Sequence, residues 1–174
     1  MTEIEVKIRI GDAKAARERI LALGAAVSRE RHLEKNLLFD FASGALRDGG
    51  RTLRLRTAGK RATLTFKGGR QKSRSFKVRE ELETQVRDPK QAGRILRALG
   101  LREVFAYEKS RTVFRKARLT IALDETAAGN FIELEGERHE IVRFARALGH
   151  TRADFITASY PDLLAGREGT GGAA

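Results

Sequence analysis

Nine residues near the start of the chain, Thr2-Glu3-Ile4-Glu5-Val6-Lys7-Ile8-Arg9-Ile10, alternate so strictly that they read as a strand. With a period of two, Ile4, Val6, Ile8 and Ile10 point one way and Glu3, Glu5, Lys7 and Arg9 the other. The first face is aliphatic and β-branched, as a buried strand face requires. The second carries both signs of charge. A single surface strand could turn such a face to water, but similar mixed faces recur on most later strands. A closed ring of these strands would gather the charges in a wet interior. It would leave an apolar exterior for helices to cover.

The rest of the chain supplies those strands and helices. Asp12 is placed to cap a helix over Ala13–Leu23, with Ala16, Ile20 and Leu23 as its apolar stripe and Gly24 at its end. Ala25–Phe41 reads as a long strand, and 42–50 as a glycine-containing loop with a helical turn near Leu46. Thr52–Thr57 and Ala62–Lys67 form a hairpin that sets Leu53, Leu55, Leu64 and Phe66 against Arg54, Arg56, Thr63, Thr65 and Lys67. The stretch 68–74 is a basic loop by composition, and Phe76–Val86 places Lys77, Arg79, Glu81 and Glu83 on one face. Asp88-Pro89 opens a helix that stops at Gly100. Arg102–Phe114, Arg118–Glu125 and Phe131–Glu137 are strands, and Glu140–Leu148 is a helix with Ile141, Phe144, Ala145 and Leu148 inward. A last helix is expected over Ala153–Ala165. The expected organisation is a single domain over 1–165, with a disordered low-complexity tail over 166–174. The fold class is α+β: an eight-stranded antiparallel barrel with helices on the outside.

Composition narrows the partners. The absence of cysteine removes disulfides and thiolate metal sites, and a cytoplasmic setting is expected. No run approaches the roughly 18 apolar residues of a membrane span, so no membrane role is expected. The net charge of +12 invites a polyanion. With no Trp and only 2 Tyr, aromatic platforms for single-stranded nucleic acid are scarce. The three histidines are scattered, and the stretch GGRQKS (68–73) lacks the spacing of a phosphate-binding Walker loop.

The charged faces together suggest a chemistry. Their cations are Lys7, Arg54, Arg56, Lys67, Arg79, Lys109 and Arg111, with Arg9 and Arg115 at the margin. Their anions are Glu3, Glu5, Glu81, Glu83, Asp124, Glu133 and Glu135. Burying that many charges costs several kcal/mol each unless they are paired or filled by ligand and water. A metal-bound polyphosphate uses both signs. Arg and Lys take phosphate oxygens, and carboxylates hold hard divalent cations that bridge to them.

This ordered set resembles the CYTH superfamily, the triphosphate tunnel metalloenzymes, which includes class IV adenylyl cyclases and thiamine and inorganic triphosphatases. The resemblance spans Glu3 to about Leu164. It runs through Glu3-x-Glu5-x-Lys7, Arg54-x-Arg56, Leu64-Thr65-Phe66-Lys67 and Arg79-x-Glu81-x-Glu83. It continues through Lys109-x-Arg111, Ile121-Ala122-Leu123-Asp124, Gly129-Asn130-Phe131-Ile132-Glu133-Leu134-Glu135 and Ser159-Tyr160-Pro161-Asp162-Leu163-Leu164. It implies a tunnel that binds triphosphate through Lys7, Arg54, Arg56, Lys67, Arg79, Lys109 and Arg111. It also implies Mg²⁺ or Mn²⁺ held by Glu3, Glu5, Asp124, Glu133 and Glu135, with Glu81 and Glu83 in support. Glu3, Glu5 and Lys7 are the catalytic candidates. Asp40 matches a family position, and its expected role is a structural hydrogen-bond anchor.

Three activities fit these motifs. The first is metal-dependent hydrolysis of inorganic triphosphate or an organic one such as ATP or thiamine triphosphate. The second is cyclisation of ATP to cyclic AMP and pyrophosphate. The third is a non-catalytic polyphosphate- or RNA-binding module, which the carboxylates disfavour because they would repel a nucleic-acid backbone. A homodimer is compatible with all three.

Overall fold

The computed structural model describes residues 2–69, 71, 73 and 75–166. Arg70, Lys72 and Arg74 of the basic loop, and 167–174 of the tail, lie outside the described residues. The described residues form eight strands with helices between some of them: β1 (Thr2–Ile10), α1 (Ala13–Ala22), β2 (Ala26–Phe41), α2 (Ala45–Asp48), β3 (Thr52–Ala58), β4 (Arg61–Lys67) and β5 (Lys77–Gln85). Then follow α3 (Pro89–Ala98), β6 (Leu101–Lys116), β7 (Leu119–Thr126), β8 (Gly129–Glu135), α4 (Arg138–Ala147) and α5 (Tyr160–Leu164). The strands close as a barrel in the order β1-β5-β4-β3-β2-β6-β7-β8. The pairings of β8 with β1, β2 with β3, β3 with β4, β4 with β5, β6 with β7 and β7 with β8 are antiparallel. This is the fold class that the alternation predicts. Among the described residues no helix is long and apolar enough to cross a membrane.

The described chain divides into two units. One contains Leu33–Gln71 and Arg79–Glu108. Its core joins Phe39, Leu46, Leu55, Leu96 and Leu101, with Leu37, Leu53, Leu64 and Phe66 against them. The other contains Glu3–His32 and the chain from Lys109 onward. Its core joins Val6, Ile8, Leu119, Ile121, Leu123, Ile132 and Leu134 of the strands to Ile20 of α1 and Ile141, Phe144, Ala145 and Leu148 of α4. In each unit the aliphatic strand parity packs on helices. The charged parity is therefore the face turned away from them.

Local signals place the helices. The Asp12 carboxylate accepts from the Lys14 and Ala15 N–H groups at the start of α1. Gly24 follows that helix at φ +78°, a left-handed conformation that disfavours a side chain. Asp88 caps α3 through the Gln91 N–H, with Pro89 in the first turn. Asp40 is the anchor expected of it: its carboxylate accepts from the N–H groups of Phe41, Leu46 and Arg47, tying β2 to α2.

One expected element differs. The helix read over Ala153–Ala165 is broken into a 3₁₀ turn at Arg152–Asp154, an extended stretch, and the short α5. Ile156 bridges Lys7 of β1 through two backbone hydrogen bonds, at 2.8 and 3.0 Å. Ser159 and Asp162 then form a capping box that restarts the helix, with Pro161 in its first turn. Backbone pairing to β1 and a fresh cap outweigh the helical propensity of the intervening residues.

Candidate active site

In the unit that holds β1, β7 and β8, the charged parity forms one continuous chain of ion pairs. Glu5 accepts from Lys7 Nζ at 3.1 Å and also from Lys77. Lys7 reaches on to Glu133 at 3.0 Å, and Arg111 holds the other Glu133 oxygen at 2.9 Å. Arg111 also forks onto Asp124, with Nε and Nη2 each 2.6 Å from a carboxylate oxygen. Lys109 donates to Asp124 at 2.9 Å and the Tyr160 hydroxyl donates to it at 2.5 Å. Glu5, Lys7, Lys77, Lys109, Asp124 and Glu133 are all buried. Tyr160 closes the group: its ring lies 4.3 Å from Lys109 Nζ and 5.0 Å from Lys7 Nζ, and it meets Phe131 edge-on at 5.8 Å.

The electrostatics follow from dry packing of opposite charges. Burial pushes the Glu133 carboxyl up, but Lys7 and Arg111 outweigh it and hold the group well below the usual carboxylate range. The same contest leaves Asp124 lowered by Arg111 and Lys109. Burial alone would lower Lys7, yet Glu133 and Glu5 raise it above its ordinary value. The Tyr160 phenol is pushed far up, first by burial and then by Asp124 and Glu133. All four groups are thus fixed in one protonation state at neutral pH, with Lys7 charged, the two carboxylates ionised and the phenol protonated.

The other unit carries its own polar cluster on the same parity. Arg56 Nε donates to Asn36 Oδ1 at 3.1 Å and Nη1 to Glu34 at 3.4 Å. Arg54 donates to the Thr65 hydroxyl at 3.3 Å, and that hydroxyl donates to Glu83 at 2.7 Å. Lys67 pairs with Glu81 at 2.7 Å. Strand register makes these contacts: Asn36 is opposite Arg56, Arg54 opposite Thr65, Thr65 opposite Glu83 and Lys67 opposite Glu81. Arg79 is buried in this unit.

The structure therefore gathers Glu5, Lys7, Lys109, Arg111, Asp124 and Glu133 in one network, and Arg54, Arg56, Lys67, Glu81 and Glu83 in neighbouring contacts of another. Glu3 lies half-buried on β1, and Glu135 is exposed at the end of β8. Lys77, Tyr160, Glu34, Asn36 and Thr65 belong to these clusters, although the motif reading gave them no role. Lys77 shares its parity with Arg79, which was the available signal. Glu34 and Asn36 share theirs with Asp40, but Leu38 interrupts the polar pattern. Tyr160 lies in the Ser159-Tyr160-Pro161-Asp162-Leu163-Leu164 motif, but nothing in that motif tells that its hydroxyl reaches Asp124.

A divalent cation can be tested against this arrangement. The β1–β8 register sets Glu5 opposite Glu135, and like charges directly opposed destabilise a ladder unless something lies between them. Glu3 is two residues along the same face. These are hard oxygen donors of the kind Mg²⁺ and Mn²⁺ take, so the donor chemistry fits. Among the described residues no three Asp, Glu or His groups already converge on a point. Glu5 and Glu133 are engaged by cations instead. Both Asp124 oxygens are taken by Arg111, Lys109 and Tyr160, which suits a residue that orients cations.

Fold and clusters define a class: a closed antiparallel barrel that keeps its charge on the face away from its helices. The chain belongs to the CYTH domain family, whose profile it matches over residues 1–160. It is 26% identical to a Methanocaldococcus jannaschii protein provisionally named an adenylate cyclase, over 94% of this chain and 98% of that one. A Vibrio parahaemolyticus structure, likewise provisionally named an adenylate cyclase, superposes with a TM-score of 0.85 at 21% identity, covering 95% of this chain and 98% of that one. A Hippeastrum protein, provisionally an adenylyl cyclase and described as having a dominant triphosphatase activity, superposes with a TM-score of 0.71 at 24% identity. That likeness covers 95% of this chain and 96% of the other. At these identities the two structures establish the shared fold.

Proposed function

We propose that this protein is a divalent-metal-dependent triphosphatase acting on inorganic triphosphate or an organic triphosphate. The observation that carries the reading is the buried chain Lys77–Glu5–Lys7–Glu133–Arg111–Asp124–Lys109. A purely structural network of this kind is a poor stabiliser, because desolvation offsets the attraction of its members. As a set of phosphate-oxygen donors already held together in a dry setting, it needs less reorganisation than solvated cations would when a polyanion arrives.

In this reading Lys7, Lys109 and Arg111 bind phosphoryl oxygens, and Asp124 and Tyr160 hold Lys109 and Arg111 in position. In the other unit, Arg54, Arg56, Lys67 and Arg79 are the cations offered to phosphoryl oxygens. Glu3, Glu5 and Glu135, with Glu133, would hold Mg²⁺ or Mn²⁺. When bound, such an ion supplies charge neutralisation on the phosphoryl group and a more acidic water. The reaction is in-line attack of water oxygen on the terminal phosphorus. The bond to the bridging oxygen breaks, giving orthophosphate and pyrophosphate from inorganic triphosphate, or orthophosphate and the organic diphosphate from an organic one, with the water proton released to solvent.

The name of the Methanocaldococcus jannaschii relative favours a second reading, in which the ribose 3′-hydroxyl of ATP attacks the α-phosphorus and pyrophosphate leaves. A cavity of about 500 Å³ in the first unit is the size of a nucleoside site, with Leu37, Leu55, Pro89 and Tyr107 in its lining. Leu37 and Leu55 face α3, on the parity opposite to Arg54 and Arg56, so this cavity is not read as a base pocket. Product analysis separates the readings. With Mg²⁺ or Mn²⁺, orthophosphate is expected from inorganic triphosphate, and a chelator should stop its release. Cyclic AMP as the main product from ATP would replace this reading with the cyclase. Metal-independent binding without turnover would replace it with a binding module.

A further inference from the structure

Asn36 sits on β2 opposite Arg56 and is only 1% exposed. Its Oδ1 accepts the Arg56 Nε–H at 3.1 Å. A guanidinium can only donate, so this contact decides which way the amide faces: oxygen toward Arg56, amino group away. That amino nitrogen, Nδ2, is buried and has no hydrogen-bond acceptor among the described residues. An unsatisfied buried donor destabilises a folded chain. A donor held in that state by its own neighbour points to an acceptor that comes with a ligand.

The surroundings define the acceptor. Arg56, which also contacts Glu34 at 3.4 Å, lies directly across the ladder, and Arg54 follows two residues earlier on the same face of β3. An oxygen that meets Asn36 beside two guanidinium groups is best supplied by an anion. The choice of side chain agrees. Aspartate at 36 would also accept from Arg56, but it would repel a polyanion and add a second carboxylate beside Glu34. Asparagine orients Arg56 without cancelling its charge and leaves a neutral donor over. We propose that Asn36 is a further triphosphate-binding residue, its amino group donating to a phosphoryl oxygen next to Arg56. The inference rests on the triphosphate reading above.

The test is isothermal titration of the full chain with inorganic triphosphate in metal-free buffer, where turnover does not intrude. Wild type, Asn36→Asp, Asn36→Ser and Arg56→Ala are compared, and thermal melts of each unliganded protein accompany them. Asn36→Asp keeps the acceptor for Arg56 and removes the donor. Asn36→Ser removes the amino group without adding charge and carries the test if the aspartate variant folds poorly. Both should bind triphosphate about ten- to a hundredfold more weakly, the aspartate more so, with melting temperatures close to wild type. Wild-type affinity in both variants, alongside loss in Arg56→Ala, overturns the role of Asn36 while the triphosphate reading stands. In that case the amino group serves a buried water. Wild type that does not bind triphosphate overturns both.

Discussion

Asp124 has no exposed surface and four hydrogen bonds: two from Arg111, one from Lys109 and one from Tyr160. Replacing it with alanine takes a carboxylate partner from buried Lys109 and half-buried Arg111, a loss expected to reach about 3–5 kcal/mol. Urea melts of Asp124→Ala should show it, and a loss below 1 kcal/mol would mean that water enters to replace the carboxylate. The same network sets the acid response. Asp124 and Glu133 are held below their ordinary carboxylate range, so the stability they contribute is fully present above the unfolded carboxyl pKa values. It is lost as pH falls through the lower folded ones. Stability should therefore be flat from pH 7 to about 5 and fall below about 4. In Glu133→Gln that acid slope should be shallower, and an unchanged slope would place the titration elsewhere.

At the scale of elements, α2 is a four-residue helix with no side-chain cap from Gly44, the residue that precedes it. Its first-turn N–H groups are met instead by Asp40 from β2. Burial pushes that carboxyl up, and donation from Arg47, Leu46 and Phe41 more than reverses it. Asp40→Ala should cost about 2–3 kcal/mol, more than an ordinary exposed cap, because buried N–H groups are left without an acceptor. Thermal unfolding of the variant measures it, and a melting temperature within a degree of wild type would show that α2 contributes little. The stretch before α5 teaches the opposite lesson. Its residues read locally as helix, yet pairing of Ile156 with Lys7 keeps them extended and lets Tyr160 reach Asp124. Alternation and caps were legible from the residues themselves. A bridge between positions 7 and 156 was not, since it depends on two strands of backbone meeting in space.

For the whole molecule, the positive excess of the sequence favours any polyanion weakly, while the clusters favour one held by directed donors. Inorganic triphosphate at about 100 times its dissociation constant should stabilise the chain by about 2.7 kcal/mol. For a domain of this size that is a rise in melting temperature of roughly 5–10 °C. Orthophosphate at the same concentration should do far less. Equal shifts from both anions, abolished by moderate salt, would indicate diffuse attraction without a site.

The sequence alone determined which residues alternate. Side-chain direction repeats every two residues along any strand, so the aliphatic parity and the charged parity of β1, β3, β4, β7 and β8 are fixed by local geometry. The candidate cations and carboxylates were legible for the same reason. Only the tertiary structure decided who meets whom: that Lys7 spans Glu5 and Glu133, that Asp124 is taken by cations and Tyr160, and that Asn36 keeps a buried donor unmatched among the described residues. Those outcomes depend on strand register and on chain arriving from far away. An alternating pattern constrains neither, because shifting a strand by two residues keeps every face and changes every partner.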